Sequence, residues 1–261
     1  MILLNSIVVV LNETIEAGIL ISVLLSISHQ LKLAPRWWLG GVALGVSGSL
    51  LYAQQLATLS EWFDYGGQEV INSSLQLTVF ALTLAIIKLM ISGHKRALVP
   101  VMALAMGLAM VREGAEIVVF YLGISTQSES TSSLLTSGFV GASIGASIGA
   151  LIYYFLILIP GRHAARIQLL LLALISSGMV LQASQLLIQI DWLPVAAPLW
   201  NSSALLPEHS ALGQLAYAVF GYESTPSATE MLLYIGALLL SLCVILLSKR
   251  QHYALSAAYL R

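Results

Sequence analysis

Charge is scarce in this chain. Asp, Glu, Lys and Arg make up 9% of its 261 residues and apolar residues 58%, whereas a soluble domain carries about 25% charged residues. Mean hydropathy is +0.90. So little charge cannot cover a water-exposed surface of this size, which excludes the soluble classes. Basic stripes and basic-aromatic interleaving are also missing, and the formal net charge is −1. Binding to nucleic acid through a phosphate-neutralising face is therefore excluded. Cysteine is nearly absent. The single Cys243 rules out an intramolecular disulfide and a thiolate metal site, and it reads as a small buried hydrophobe. The N-terminal apolar segment lacks a basic n-region and a clear cleavage site, and it contains Glu13 and Glu16. It is expected to be a retained helix rather than a signal peptide.

What the chain has in abundance is apolar runs of about 20 residues, the length that a bilayer core demands. Between polar breaks they predict seven helices, at 3–27, 38–57, 70–91, 98–123, 135–159, 167–189 and 229–248. The expected fold is an all-α integral membrane protein with one permease-like domain over 1–261. The breaks alternate in charge. Lys32, Arg36, Lys95, Arg96, Arg162, Arg166, Lys249, Arg250 and Arg261 fall on one side, and Glu61, Asp64, Glu69, Glu129, Asp191, Glu208, Glu223 and Glu230 on the other. Lys and Arg mark the cytoplasmic face. The expectation is a multi-pass protein of the cytoplasmic (inner) membrane, with the N-terminus outside and the C-terminus inside. Trp37 and Trp38 are expected at the cytoplasmic boundary, where indoles prefer to lie.

The chain also repeats itself. Asn12-Glu13-Thr14-Ile15-Glu16 is matched one hundred positions on by Arg112-Glu113-Gly114-Ala115-Glu116, and Gly41 and Gly45 by Gly141 and Gly145. With three helices per unit the second copy enters from the opposite side. This predicts an inverted 3+3 repeat, repeat one at about 1–91 and repeat two at about 98–189. An outer loop at about 190–228 and a last helix follow. Such repeats place substrate near the midplane, between the halves. The glycine rows read as tight packing of the second and fifth helices and carry no chemistry.

The chemistry lies in the duplicated acids. Glu13 with Glu16, and Glu113 with Glu116, are i,i+3 pairs, so each pair projects from one helix face. A charged residue near mid-span costs at least about 2.5–3.5 kcal/mol. Four carboxylates against one arginine, Arg112, exceed what a structural ion pair explains, so a cation or a proton is expected among them. All the donors are carboxylate oxygens, with no thiolate or imidazole in mid-span. Such donors suit Fe(III), Mn(II), Mg(II) or Ca(II) and disfavour Cu(I) or structural zinc.

Arg112-Glu113-Gly114-Ala115-Glu116 resembles the R-E-G-x-E signature of the oxidase-dependent iron permeases, the bacterial EfeU-like and fungal high-affinity proteins. That family carries two such motifs, in the first and fourth of seven helices. Gln68-Glu69, His209-Ser210 through Gly213, Phe220-Gly221-Tyr222 and Pro226-Ser227 are similar to the family as well, so the resemblance spans nearly the whole chain. It implies iron import, with iron ion as transported substrate and no bound organic cofactor. It implies Glu13, Glu16, Glu113 and Glu116 as the metal residues. Arg112 and Asn12 would tune the site, and His209 with Glu208 would deliver iron at the outer loop. Besides the lipid bilayer, the partner implied is a periplasmic or extracellular ferroxidase or iron-delivery protein. No enzymatic centre is expected in the chain itself.

Several positions depart from the family. Asn12 stands where the family has arginine and Thr14 where it has glycine, Asn72 replaces a glutamate of EfeU-like members, and Asn201 an aspartate. The altered first motif keeps two alternatives in view, another divalent-metal carrier and a proton-coupled one. A structural subunit whose carboxylates only pair with Arg112 is the third. Among other residues, Met106 and Met110 read as packing. Tyr121 reads either as hydrogen-bonding a ligand or as sitting in the interface belt.

Overall fold

The computed structural model describes residues 2–34, 36–124, 131–208 and 210–259. Its helices are α1 (Ile2–Gln30), α2 (Trp37–Ser60), the short α3 (Trp62–Tyr65), α4 (Gly67–Ser92), α5 (Lys95–Ile124), α6 (Thr131–Leu158), α7 (Gly161–Gln189), α8 (Ala211–Phe220) and α9 (Ala228–Tyr259). They run past the expected boundaries because hydropathy ends at the first polar residue, whereas helical hydrogen bonding continues through it. α1, α4, α5, α6, α7 and α9 are long and apolar enough to cross a membrane. The protein is an all-α integral membrane protein. α2 has the length of a span, 24 residues, or about 36 Å. Its serines, glycines, Gln54 and Gln55 dilute its hydropathy below that of the other six.

Packing follows the sequence repeat by exchange between the halves. α1, the first helix of repeat one, packs along α6, the second helix of repeat two, and α5 packs in the same way along α2. Both pairs are parallel. An added Cβ at Gly141 would meet Ile7 and Leu11, and one at Gly145 would meet Thr14; one at Gly41 would meet Met106, and one at Gly45 Met110. The glycine rows therefore seat each second helix on the opposite repeat's first helix, not on each other. α1 and α5 run antiparallel, since Ser6 meets Tyr121 and Glu16 meets Arg112. The third helices α4 and α7 are antiparallel too, with Gln76 on Gln182 and Gly66 against Ile190. The outward-facing positions repeat as well. Residues 39, 40, 43, 44, 46, 47, 50, 51, 54 and 55 are exposed on α2, and so are the positions one hundred further on along α6. The hundred-residue offset of the sequence thus recurs in which positions of α2 and α6 face outward.

The apolar core lies to one side of the acidic residues, where Ile19, Val23 and Ile27 of α1 meet Val79 and Ile86 of α4, Met102 of α5 and Leu172 of α7. Lys95 Nζ donates to Leu31 O at 2.8 Å, so the basic breaks gather at the end of the bundle beyond this core. At the other end Phe63 packs edge-on against Trp192 with ring centroids 5.7 Å apart, beside Glu61, Asp64 and Asp191.

Three expectations are corrected. The 190–228 stretch is not all loop. Ser210 caps α8 by accepting from Gly213 N at 3.0 Å, and Gly221 ends it at φ +64. Ten residues are too few to register as a span. Glu230 is no loop acid: it closes a capping box with Ser227 at the start of α9. Trp37 is 6% exposed and donates to Ser28 Oγ at 2.9 Å, tying α1 to α2. Cys243 is exposed on the periphery, because α9 packs on α7 and α4 along one face and turns the rest outward.

Candidate metal site

The antiparallel crossing of α1 and α5 brings the two acidic motifs together. One carboxylate oxygen from each of Glu13, Glu113 and Glu116 lies within 4.8 Å of the others. Each pair of full charges about 4 Å apart repels by roughly 4 kcal/mol at an effective dielectric constant of about 20, so the trio needs a counter-charge. Arg112 supplies part of it. Its Nη1 donates to Glu113 Oε1 at 2.9 Å, and its Nη2 forms an ion pair with Glu116 Oε1 at 3.1 Å. Glu13 Oε2 and Glu113 Oε2 are buried with no hydrogen-bond partner among the described residues. Orphaned buried acceptors are rare in folded proteins. Two of them on neighbouring carboxylates leave room for a cation with hard oxygen ligands.

Glu16 stands apart from the trio. Its Oε2 accepts from Gln182 Nε2 at 3.0 Å and lies 3.4 Å from Arg112 Nη1. Sequence reasoning treats the four acids alike because the repeat does. The two motifs differ at three positions, and the one that changes charge, Asn12 against Arg112, breaks the symmetry: Arg112 reaches across to Glu16, whereas Asn12 Oδ1 is buried with no hydrogen-bond partner among the described residues. Gln182 and Gln76, linked at 2.6 Å, went unnoticed in the sequence. Their signal is available there, as amides inside apolar spans on the third helix of each repeat.

Among the described residues, two larger cavities meet the carboxylates. One of about 220 Å3 is lined by Asn12, Glu13, Glu16, Glu208, Gln214 and Tyr217. It opens toward the acidic end of the bundle and is roofed by α8. The other, of about 530 Å3 and mostly apolar, runs from Glu13 and Glu113 past Gly18, Ser22 and Ser49 to Tyr153 and Tyr154, toward the basic end. α8 is held in place by the close backbone approach of Gly221 to Gly178, where a Cβ on Gly221 would stand 2.7 Å from the Gly178 Cα.

Glu208 lies in the first cavity with Oε1 accepting from Ser224 N at 2.6 Å. His209 falls outside the described residues, as does Glu129. Beside Glu208, Glu223 accepts from Gln185 Nε2. Burial, and then the nearby carboxylates of Glu230 and Glu208, push the Glu223 carboxyl up to about 7 in spite of the Gln185 hydrogen bond. Asn201 turns its own loop, accepting from Ser203 N at 3.0 Å. Tyr121 is structural. Its hydroxyl lies 3.0 Å from Ser6 Oγ and donates to Leu134 O at 3.0 Å, in space that a Cβ on Gly138 would fill.

Compared with known families, residues 72–256 match the Iron permease FTR1 family. The matched stretch includes the second motif and not the first. No curated protein and no solved structure matches the chain.

Proposed function

Because the chain belongs to the Iron permease FTR1 family, we propose that it imports iron through a site built by Glu13, Glu113 and Glu116. The observation that carries this reading is the convergence of those three carboxylates from two antiparallel helices within 4.8 Å. Iron is the substrate. It approaches through the cavity lined by Glu208, Gln214 and Tyr217, where acidic walls concentrate cations. It is then held by the trio while Arg112 shifts toward Glu16, and it leaves through the apolar cavity toward Tyr153. Release follows rocking of repeat one, about 1–91, against repeat two, about 98–189, with the 190–228 segment covering the outer cavity. The basic end of the bundle is cytoplasmic by the positive-inside rule, which puts the N-terminus outside and the C-terminus inside the cytoplasmic membrane. The chain acts as a carrier and not as an enzyme, and a ferroxidase or iron-delivery partner supplies iron at the outer face.

A second reading is favoured by one feature, the neutral Asn12 where the family has arginine. A more anionic site suits another divalent metal, or proton-coupled transport in which deprotonated ligands are freed for the cation. Metal analysis separates the two. Protein purified in lipid nanodiscs is loaded in parallel with Fe(II) under anaerobic conditions, Fe(III) buffered by citrate, and Mn(II), and compared with a Glu13→Gln/Glu113→Gln double variant. Iron retained by wild type and lost in the variant supports the iron reading. Preferential retention of Mn(II) supports the alternative, and equal retention by both proteins overturns the site.

A further inference from the structure

Arg112 occupies two of the three proposed metal ligands. At 2.9 Å from Glu113 and 3.1 Å from Glu116, its guanidinium opposes any cation arriving among Glu13, Glu113 and Glu116. Its side chain is mostly buried, at 13% exposed. A small cavity of about 20 Å3, room for about one water, adjoins it and is lined by Glu16, Gln76, Gln182, Tyr217 and Gly178 among others.

The hydrogen-bond polarity of this cavity follows from one group. Glu16 accepts, so Gln182 turns its amide nitrogen to Glu16 at 3.0 Å. The Gln182 oxygen therefore faces Arg112 Nη1, at 3.3 Å, and Gln76 Nε2, at 2.6 Å. Gln76 has then turned its amide nitrogen to Gln182, and its Oε1 is left buried with no partner among the described residues, on a residue 3% exposed. The Arg112 Nε is likewise a buried donor with no partner among the described residues. An unused acceptor and an unused donor thus belong to residues that line one small cavity, whose other walls include Leu75, Val79, Leu108, Ile175 and Met179, beside a cation that must leave two carboxylates. A guanidinium has five donors in a fixed fork and no acceptor, so a pocket of oxygens is what it requires.

We propose that Gln182 and Gln76 form the berth to which Arg112 withdraws when metal occupies the Glu13–Glu113–Glu116 trio. They are positioning residues: neither touches the metal, and both act through Arg112. The berth sits on α7 and α4, the third helices of the two repeats, so metal occupancy is passed to that antiparallel pair through one side chain. This inference rests on the trio being the metal site.

The test is a double-mutant comparison of iron affinity on the full chain in nanodiscs, with Fe(III) buffered by citrate and anaerobic Fe(II) as probes. Gln182→Met keeps the side chain's length and removes its polar atoms. It is made in the natural background and in Arg112→Gln. The expected result is about a tenfold loss of affinity where Arg112 is present, as for removal of a group that orients a metal ligand, and less than about twofold in Arg112→Gln. Gln76→Met, made in both backgrounds, is expected to shift affinity in the same direction by a smaller factor, again only with Arg112 present. It carries the comparison alone should Gln182→Met fail to accumulate as folded protein. Equal losses in both backgrounds mean a packing role and overturn the berth, as does unchanged affinity with Arg112 present. Failure of the underlying site reads differently: Glu113→Gln would then bind iron as wild type does.

Discussion

Neutralising Glu113 and neutralising Glu16 should have unequal consequences, although the sequence repeat presents the two residues as members of equivalent pairs. Glu113 is 7% exposed, contributes an oxygen to the trio, and its Oε2 is buried with no hydrogen-bond partner among the described residues. Replacing it by glutamine removes a full charge at the metal position. Two unit charges about 4 Å apart interact by roughly 4 kcal/mol at an effective dielectric constant of about 20. If only a third of that survives relaxation, the loss is about 1.4 kcal/mol, or tenfold in affinity; the whole of it gives about a thousandfold. Glu113→Gln is therefore expected to weaken iron binding by about 10- to 1,000-fold. Glu16 lies outside the trio, engaged by Arg112 and Gln182. Glu16→Gln removes an anchor for the guanidinium, which then leans harder on Glu113 and Glu116, so its effect is indirect and is expected to stay within about tenfold. The assay is iron binding by citrate competition on nanodisc-embedded protein, paired with uptake into proteoliposomes. A loss in Glu16→Gln equal to or larger than that in Glu113→Gln refutes the division of the four acids into a metal trio and an arginine anchor.

Three further outcomes are expected. Gly145→Leu inserts a side chain where even a Cβ would stand 2.7 Å from Thr14 Cβ, so it should destabilise the protein by about 1–3 kcal/mol, read as a lower thermal midpoint in detergent; an unchanged midpoint contradicts the α1–α6 seat. Single cysteines at Glu129 and Arg162 in a Cys243→Ala background should be labelled from outside at the first position only, and the reverse pattern inverts the topology. The Glu223 carboxyl is pushed up to about 7 in the folded protein, above an unfolded value of about 4.3, so the folded loop holds the proton more tightly. Its stabilising contribution is complete below the unfolded value and is lost as pH rises through about 7. Amide exchange over 211–227, corrected for intrinsic rates, should quicken between about pH 6 and 8 in wild type and stay flat in Glu223→Gln. Parallel profiles would remove Glu223 from any part in holding α8.

The sequence by itself determined the membrane class and the helical content, for reasons that are local or periodic. A bilayer core imposes run length and internal hydrogen bonding on each helix separately, so scarcity of charge and spacing of polar breaks are enough to read the spans. The hundred-residue offset that relates Glu13 and Glu16 to Glu113 and Glu116 is a property of the string. The positions outward-facing on α2 and α6 keep that same offset in the folded chain. What the sequence cannot carry is which side chains meet across the two-fold. The glycine rows signal close packing without a partner, and only the assembled bundle pairs α2 with α5 and α6 with α1. The equal status of the four glutamates ends in the same way. Arg112 is a single residue near the axis with reach to both motifs, and its contacts with Glu16, Glu113 and Glu116 are set by the antiparallel crossing of α1 and α5. Gln76 and Gln182 lie 106 positions apart, outside the repeat register, and become a pair only when the third helices pack. Hydrogen-bond direction along Glu16, Gln182 and Gln76 is a tertiary property, because each amide's orientation depends on the neighbour that the fold supplies.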